Sequence, residues 1–322
     1  MEKNTIMFAG SGVFATAVAE RLSWNKNNRV SLYSRDKNVI DDINMNHQNK
    51  KYYPTRFINK SITGFTDLTE FKKADYIFIA IPSKAVLPFF QSIASYVRED
   101  CLVINLAKGM NADGSFVTSQ IPAQRVASLK GPTFAVEVMN GFPSALTFGG
   151  RRKDYINFKK NVLPNTLLLL DYSDDIKAVE LLSVLKNMYA IAIGLVSGRF
   201  NSPNVDFLIY TKAVKEMRSF LKLYGYDENV IYKYCGVGDL GLTGLNDLSR
   251  NRTMGLMLGK GFKIDTTQTS STVVEGFRTV KLMMAQTNKE QNLERYFPIV
   301  HALYAFLYEG CTIMEYESMV FN

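Results

Sequence analysis

The amino-acid sequence predicts an α/β protein: a doubly wound sheet in residues 1–173, followed by an all-α domain in residues 174–322. Three observations predict this fold. Up to about residue 172, short β-rich runs alternate with helical ones, as in βαβ units. Several of these runs are apolar without alternation, as expected of strands that are covered on both faces. After Ser173, strand signals almost vanish.

The predicted strands combine apolar residues with β-branched or aromatic ones. They are TIMFA (5–9), RVSLY (29–33), YIFIAI (76–81), CLVINLA (101–107), SALTFG (144–149) and TLLLLDY (166–172). A helix running to about Leu22 is predicted after the first strand. Ser173 is the candidate N-cap of the helix that opens the second domain, and we expect this helix to join the two domains directly. In such a fold the ligand binds beyond the carboxyl ends of the strands.

The composition is that of a globular protein with a sizeable core, since 47% of the 322 residues are hydrophobic. The net charge of +8 comes from Lys and Arg interspersed with Asp and Glu, which argues against a nucleic-acid partner. The three cysteines and two histidines lack metal-binding spacing, so we expect no metal and free thiols in a reducing cytoplasm. The amino terminus lacks a signal peptide's apolar stretch, and no segment reaches roughly 18 uninterrupted apolar residues, so no membrane span is expected.

A glycine-rich turn, Gly10-Ser11-Gly12-Val13-Phe14-Ala15, lies between the first strand and the first helix. In a dinucleotide-binding fold the first glycine makes the turn, the second admits the pyrophosphate and the small third residue allows close packing. The alternative is a glycine turn without a ligand, but the flanking strand and helix favour a dinucleotide. At the end of the second strand, Arg35 suits the 2′-phosphate of NADP, whereas Asp36 suits the ribose hydroxyls of NAD. Both cofactors therefore remain open.

Two further stretches are expected at the same edge of the sheet. Asn105-Leu106-Ala107-Lys108-Gly109 brings Lys108 there, either as a surface residue or as a charge directed into the ligand crevice. Gly131-Pro132-Thr133-Phe134-Ala135 offers backbone N–H groups and a hydroxyl, either in a plain turn or in a binding loop. These residues alone do not decide between the alternatives.

Lys186 and Asn187 stand in the middle of LLSVLKNMYAIAIGLVSG (181–198), a segment that is apolar almost all round a helix. The residues at helical spacings around Lys186 are Val179, Leu182, Tyr189 and Ile193. A helix of this kind belongs inside a domain, where an isolated ammonium is costly and either loses its proton or finds partners. Such a lysine is suited to proton transfer. The alternative is a lysine whose head reaches solvent along an apolar stem.

A glycine-rich segment, residues 236–261, leads from Asp239 and Thr243 to a short helix that is predicted to begin near Ser249. Ser249 is its candidate cap, Gly259 or Gly261 its end, and Arg250 and Asn251 stand in its first turn. A guanidinium beside a helix N-terminus favours a phosphate or carboxylate site, although a capped surface helix with a solvated arginine is the simpler alternative.

Taken together, these stretches resemble the NAD(P)-dependent glycerol-3-phosphate dehydrogenase family. The resemblance spans almost the whole chain in the family's order, through GSGVFATAVA, NLAKGM, GPTFAVEV, LKNMYAIAIGL, GVGDLGLT, LSRNRTMGLMLGKG and VVEG. LKNMYAIAIG and GDL…LSRNR are far more specific than the glycine fingerprint. The resemblance implies a Rossmann-like first domain, a helical substrate and catalytic domain, and NADP or NAD as the cofactor.

The implied reaction is the reversible NAD(P)H-dependent reduction of dihydroxyacetone phosphate to sn-glycerol 3-phosphate, which supplies the glycerol backbone of phospholipids. Lys186 is implied as the proton donor and acceptor, and Lys108 and Asp239 are expected to set the local charge. The implied substrate contacts are Lys108, Gly131, Thr133, Lys186, Asn187, Asp239, Thr243, Ser249, Arg250 and Asn251. The implied cofactor contacts are Gly10, Gly12, Val13, Phe14, Arg35, Lys108, Ala135, Arg250 and Glu275.

The sequence departs from the family pattern at two places. Val13-Phe14 stands where similar proteins often carry Ser-Trp, and Lys212, within residues 199–217, replaces the usual arginine. Two other functions remain as alternatives: a related dehydrogenase for another hydroxy acid, and a non-catalytic dinucleotide-binding regulator. A homodimer is one possible assembly.

Overall fold

The computed structural model describes residues 3–110, 114–262, 271–287 and 294–321. The chain divides into two compact units, Met1–Val179 and Glu180–Asn322. This division falls inside the long helix Ile176–Phe200. Val273 and Val274 of the VVEG stretch lie outside the residues whose side chains are described.

The N-terminal unit is built on one eight-stranded sheet with the strand order β3-β2-β1-β4-β5-β6-β7-β8. Its strands are, from β1 to β8, Asn4–Ala9, Asn28–Tyr33, Thr63–Phe65, Tyr76–Ile79, Leu102–Asn105, Val126–Lys130, Ser144–Gly149 and Leu168–Ser173. Every neighbouring pair is parallel except β6 and β7. This arrangement confirms the predicted doubly wound sheet, with one antiparallel pair that the sequence did not predict.

The short connection between β6 and β7 explains the antiparallel pair. Parallel neighbours need a crossover that carries the chain back across the sheet, usually through a full helix. Here the connection contains only the five-residue helix Ala135–Met139, so β7 starts near the edge where β6 ends. Neither β3 nor β6 was predicted, because β3 has three residues and β6, VASLK, mixes apolar with polar residues.

Along the chain, the α-helices of the N-terminal unit connect strands of the sheet. They are α1 Val13–Leu22, α2 Lys37–Asp41, α3 Ser83–Ile93, α4 Ala135–Met139 and α5 Arg152–Asn161. The predicted helix to Leu22 is therefore confirmed. Ile6 and Phe8 of β1 belong to one buried cluster, whereas Met7 and Ala9 belong to another. Because neighbouring side chains point to opposite faces, an apolar run without alternation fits a sheet covered on both faces.

The C-terminal unit contains helices and no β-strand within its described residues. After α6 Ile176–Phe200 come α7 Pro203–Leu223, α8 Asp239–Gly244, α9 Arg250–Gly259, α10 Ser271–Thr287, α11 Pro298–Tyr308 and α12 Ile313–Phe321. By length and hydropathy α6 alone, among the described residues, could cross a membrane, but its apolar window is completely buried in the protein. It therefore has the character of a core helix.

The predicted N-cap of α6 is wrong. Ser173 is the last residue of β8, and α6 begins at Ile176. The Asp175 carboxylate accepts a hydrogen bond from the Ala178 N–H at 2.9 Å, while the Ser173 hydroxyl accepts from the Asp175 N–H at 3.2 Å. Asp175 is the better cap because it stands next to the first helical turn.

No disulfide joins the three cysteines, all of which lie in the described part of the chain, as expected.

Candidate active site

The glycine turn between β1 and α1 forms an uncapped helix N-terminus. Gly10 has a φ of +115°, and a Cβ there would lie 2.9 Å from the Ala80 carbonyl oxygen, so a larger residue would not fit. Gly12 is the N-cap of α1 and brings no side-chain hydrogen bond, and a Cβ built on it meets nothing within 4 Å. The turn therefore leaves room for a group to approach the positive end of the α1 dipole.

Asn49 and Tyr53 brace this turn. Asn49 is fully buried, and its amide donates to the Ser11 carbonyl oxygen and to the Thr16 hydroxyl, both at 2.9 Å. The Tyr53 hydroxyl donates to the carbonyl oxygen of Val13 at 2.9 Å, and the Ala135 carbonyl oxygen lies 3.4 Å away. Burial raises the pKa of Tyr53 to about 12, so the phenol keeps its proton at neutral pH. Phe14, in place of the usual Trp, packs partly buried against the sheet.

A cavity of about 860 Å³ opens beside the turn, a size typical of small-molecule sites. Its lining includes Gly10, Ser11, Gly12, Tyr33, Ser34, Arg35, Lys84 and Phe89. Asp36 does not line it. The Asp36 carboxylate instead accepts from the Lys51 ammonium at 2.8 Å and caps α2 through the Asn38 N–H. The sequence left the choice between NADP and NAD open because Arg35 and Asp36 are neighbours. Of these two residues, only Arg35 lines the cavity.

The β5 and β6 loops leave the sheet at the same edge, because these strands are parallel to each other and to β1. Lys108 follows β5 and is partly buried. Gly131 follows β6, and a Cβ there would lie 2.6 Å from the Ala145 carbonyl oxygen. Thr133 donates to the Gly131 carbonyl oxygen at 3.2 Å, and Ala135 opens α4. The predicted loops thus lie at the carboxyl edge, as expected.

Lys186 is buried with its ammonium paired to a carboxylate. Only 2% of Lys186 and 1% of Asp239 is exposed, and the ammonium donates to Asp239 Oδ1. Solvent exposure of the head, the alternative interpretation, is therefore wrong. Thr243 follows Asp239 by one turn of α8, and its hydroxyl reaches the same oxygen at 3.5 Å. Asp239 Oδ2 is a buried acceptor without a hydrogen bond from any described residue.

Asn187 contacts the beginning of α9. The Asn251 amide donates to Asn187 Oδ1 at 3.2 Å, and both residues are buried. Gly276 lies beside them, because a Cβ there would be 2.7 Å from Asn251 Oδ1. Glu275, the preceding residue in α10, is partly buried. Asn251 Oδ1 is a second buried acceptor that no described residue satisfies.

The α9 start has the predicted form. The Ser249 hydroxyl accepts from the Arg252 N–H at 3.3 Å, Arg250 is the first helical residue and is exposed, and Gly261 follows the helix with a φ of +85°. Arg252, which is 8% exposed, holds this helix in place. Its guanidinium donates to the Gly244 carbonyl oxygen at 2.7 Å, and to Ser197 and Asp247 at 3.0 Å.

Three residues that organise these sites were not singled out from the sequence: Asn49, Tyr53 and Arg252. Arg252 lies inside the SRNR stretch, but its role follows from contacts with distant residues.

Lys212, in place of the usual arginine, donates to the Val320 carbonyl oxygen at 2.5 Å.

Comparisons with known proteins agree with this arrangement. Residues 5–155 match the profile of the NAD-dependent glycerol-3-phosphate dehydrogenase N-terminus, and residues 175–317 match that of its C-terminus. A glycerol-3-phosphate dehydrogenase [NAD(P)+] from Methanothermobacter thermautotrophicus is 31% identical over 93% of this chain and 92% of its own length. A chloroplastic glycerol-3-phosphate dehydrogenase [NAD(+)] from Arabidopsis thaliana is 33% identical over 88% of this chain and 70% of its own.

Solved structures share the fold. A glycerol-3-phosphate dehydrogenase from Coxiella burnetii has a TM-score of 0.82 and 23% identity, covering 99% of this chain and 98% of its own. The enzyme from Saccharomyces cerevisiae has a TM-score of 0.87 and 21% identity, with both chains completely covered. The solved structures, at 23% and 21% identity, show the fold alone. The two profiles and the relatives above 30% identity also show the family. This chain belongs to the NAD-dependent glycerol-3-phosphate dehydrogenase family and is an oxidoreductase that uses NAD or NADP.

Proposed function

We propose that this protein reduces dihydroxyacetone phosphate to sn-glycerol 3-phosphate with NAD(P)H, reversibly, and so supplies the glycerol backbone of phospholipids. The observation that carries the proposal is the buried Lys186–Asp239 pair, one residue away from the Asn187–Asn251 contact at the start of α9. This arrangement combines a proton donor, polar acceptors and a helix N-terminus with an adjacent guanidinium, which suits a small phosphorylated ketone.

The phosphate group of the substrate is assigned to the start of α9. An anion there meets the positive end of the helix dipole, and Arg250 adds a guanidinium in the first turn. Asn251 and Ser249 belong to the same turn. Asp239 Oδ2 and Asn251 Oδ1 are buried acceptors, which suit the hydroxyl donors of a glycerol derivative. Lys108, Gly131 and Thr133 are proposed as further contacts from the loops after β5 and β6.

The residues around the glycine turn fit a dinucleotide. The uncapped N-terminus of α1 suits the pyrophosphate, and Val13, Phe14, Ala135 and Glu275 are proposed as further cofactor contacts. We propose a preference for NADPH over NADH, because Arg35 and Lys84 line the cavity while the Asp36 carboxylate bonds to Lys51 and Asn38. Two cations favour a 2′-phosphate, whereas the ribose hydroxyls of NADH call for a carboxylate.

Lys186 acts on the oxygen of the ketone. When bound, the reduced nicotinamide supplies the hydride that adds to C2. Negative charge then develops on the former carbonyl oxygen, and the Lys186 ammonium donates a proton to it. Asp239 holds the ammonium in place and favours its charged form before the proton is transferred. In the reverse direction, the Lys186 amine accepts the proton of the C2 hydroxyl.

Substrate-dependent oxidation of NADPH by the purified protein tests this proposal. We expect oxidation with dihydroxyacetone phosphate and little with dihydroxyacetone or with 2-oxo acids that lack a phosphate. Preferred oxidation with a 2-oxo acid would favour a related dehydrogenase instead. Cofactor binding without turnover of any ketone in the panel would favour a dinucleotide-binding regulator.

We propose a cytoplasmic location, where NADPH and reduced thiols are both available.

A further inference from the structure

A second ammonium is buried in the N-terminal unit, at the end of β6. Lys130 is 3% exposed, and its ammonium donates to the carbonyl oxygens of Asn105 at 3.1 Å and Ala107 at 2.6 Å. Both acceptors are backbone groups of the segment in which the chain leaves β5, the strand next to β6. Lys130 therefore joins two loops of the proposed site, one of which begins with the next residue, Gly131.

The two carbonyl groups belong to the segment that delivers Lys108. β5 ends at Asn105, whose side chain accepts from the Ala107 N–H at 2.9 Å. The Ser128 hydroxyl also approaches the Asn105 carbonyl oxygen, at 3.5 Å. Lys108 follows immediately, and Gly109 turns the chain with a φ of +122°. The Lys130 ammonium thus bonds to the carbonyl groups on either side of Leu106, immediately before the chain reaches Lys108.

Stability alone does not account for a lysine at this position. Burying an ammonium is costly, and hydrogen bonds to its partners must offset the cost. An apolar side chain of similar length would fill the same space without that cost, although it would leave the Asn105 and Ala107 carbonyl oxygens without this donor. What an apolar residue would not do is orient the two carbonyl groups.

We propose that Lys130 is a positioning residue that fixes the exit of β5 and thereby orients Lys108. The inference rests on the proposed contact of Lys108 with substrate and cofactor. It is argued from the two hydrogen bonds that the Lys130 ammonium donates to the backbone of this segment. Lys130→Met is the informative change, since it keeps the length of the side chain and removes the donor.

The first experiment compares Lys130→Met with Lys153→Met, which removes an exposed charge on α5. We expect Lys130→Met to remain folded at the assay temperature and to lower kcat/KM for dihydroxyacetone phosphate by about 10-fold or more, because small misplacements of contact groups slow reactions steeply. Lys153→Met should be unchanged in both. A wild-type kcat/KM in a folded Lys130→Met variant overturns the proposal. If the Met variant does not fold, Lys130→Leu, which also lacks a donor, is compared with Lys130→Gln, which keeps N–H donors. The proposal expects a lower kcat/KM in the Leu variant than in the Gln variant, and equal values overturn it.

The second experiment tests whether Lys130 acts through Lys108. In a Lys108→Met background, adding Lys130→Met should lower kcat/KM little further, because the group it positions is already gone. Equal losses in both backgrounds contradict the proposal. A readout without turnover is the ¹³C resonance of Lys108 after reductive methylation, assigned by its loss in Lys108→Met. It should move in Lys130→Met, and an unchanged resonance overturns the proposal even if the wild type proves inactive with dihydroxyacetone phosphate.

Discussion

Lys186 and Asp239 place opposite charges in the buried interior of the C-terminal unit. Both residues are almost completely buried, and Tyr189 and Ile193 on the same helix are fully buried. A buried ion pair is often no more stable than a hydrophobic pair of the same volume, because desolvation offsets the attraction. Removing one partner, however, leaves an uncompensated charge. The pair is therefore better explained by the chemistry of the ammonium than by a contribution to folding.

This distinction gives a prediction for Lys186→Met. Loss of the proton donor should lower turnover by roughly 100-fold or more. The unpaired Asp239 should also destabilise the fold by about 3–5 kcal/mol. Adding Asp239→Asn should recover stability but not turnover, which separates the two effects. Steady-state kinetics and thermal unfolding are the measurements, with Lys177→Met, an exposed lysine near the start of α6, as the control. Recovery of turnover in the double variant would contradict proton donation by Lys186.

Arg35 is predicted to discriminate between the two cofactors. Its guanidinium lines the cavity at the end of β2 and is proposed to bind the 2′-phosphate of NADPH. Arg35→Ala should weaken NADPH binding roughly 10-fold or more, since hydrogen bonds to charged groups contribute about 1.5–3 kcal/mol. NADH binding should change little. Titration of both cofactors by protein fluorescence measures this, with Arg152→Ala on α5 as the control. Equal weakening of both cofactors would argue against a 2′-phosphate contact.

At the level of elements, α6 and α9 meet backbone to backbone. Gly194 and Gly198 of α6, and Gly255 and Gly259 of α9, share the same spacing of four residues, which puts each pair on one helix face. A Cβ at Gly255 would overlap the carbonyl oxygen of Ile191, and one at Gly194 would overlap that of Arg252. This close approach fixes the start of α9 beside Asn187. The glycines thus position the proposed phosphate site.

Gly255→Ala tests this packing. The added methyl group has no space, so α9 must move away from α6, which we expect to cost about 1–3 kcal/mol of stability. The KM for dihydroxyacetone phosphate should rise by about 10-fold or more, because displaced phosphate contacts are charge-assisted. Met257→Ala changes an exposed residue of the same helix, 43% exposed, and should leave KM unchanged. A Gly255→Ala variant with the wild-type KM would show that the crossing does not position the site.

For the molecule as a whole, one buried carboxyl couples stability to pH. Glu216 of α7 is 3% exposed, accepts the Ile299 N–H of α11 at 2.6 Å and bonds to the Tyr189 hydroxyl of α6 at 2.9 Å. Burial raises the pKa of Glu216 to about 8, against the lowering effect of these hydrogen bonds. A carboxyl whose folded-state pKa exceeds its unfolded value of about 4.5 stabilises the fold fully below that value. This contribution is lost as the pH rises towards 8.

Glu216→Gln should remove this pH dependence. A glutamine mimics the protonated carboxyl, since it offers one acceptor and an N–H donor. We expect the variant to match the wild type near pH 5 and to exceed its stability at pH 9, by an amount on the order of a few kcal/mol. Thermal unfolding across this range measures the difference, and Glu309→Gln, at an exposed site, is the control. A constant difference between wild type and Glu216→Gln at all pH values would contradict the raised pKa.

The sequence predicted the features that depend on local chemistry. Continuous apolar runs indicated covered strands, Gly10 and Gly12 indicated a turn before a helix, and Ser249 indicated a cap three residues before the N–H it bonds. The strand that was not predicted and the N-cap that was predicted wrongly also have local causes. β3 is too short for a periodic signal, and Ser173 was chosen as a cap because strand and helix signals overlap at the boundary.

By itself, the sequence determined the fold class, the family and the apolar character of the helix around Lys186, because periodicity and motif spacing are properties of neighbouring residues. Only the tertiary structure decided that Asp239 pairs with Lys186, 53 positions earlier in the chain, that the Asp36 carboxylate bonds to Lys51 and does not line the cavity, and that Lys130 holds the segment before Lys108. Such pairings depend on which distant groups the folded backbone brings within hydrogen-bond distance. Since buried polar groups must find partners there, packing decides the choice, and local sequence does not.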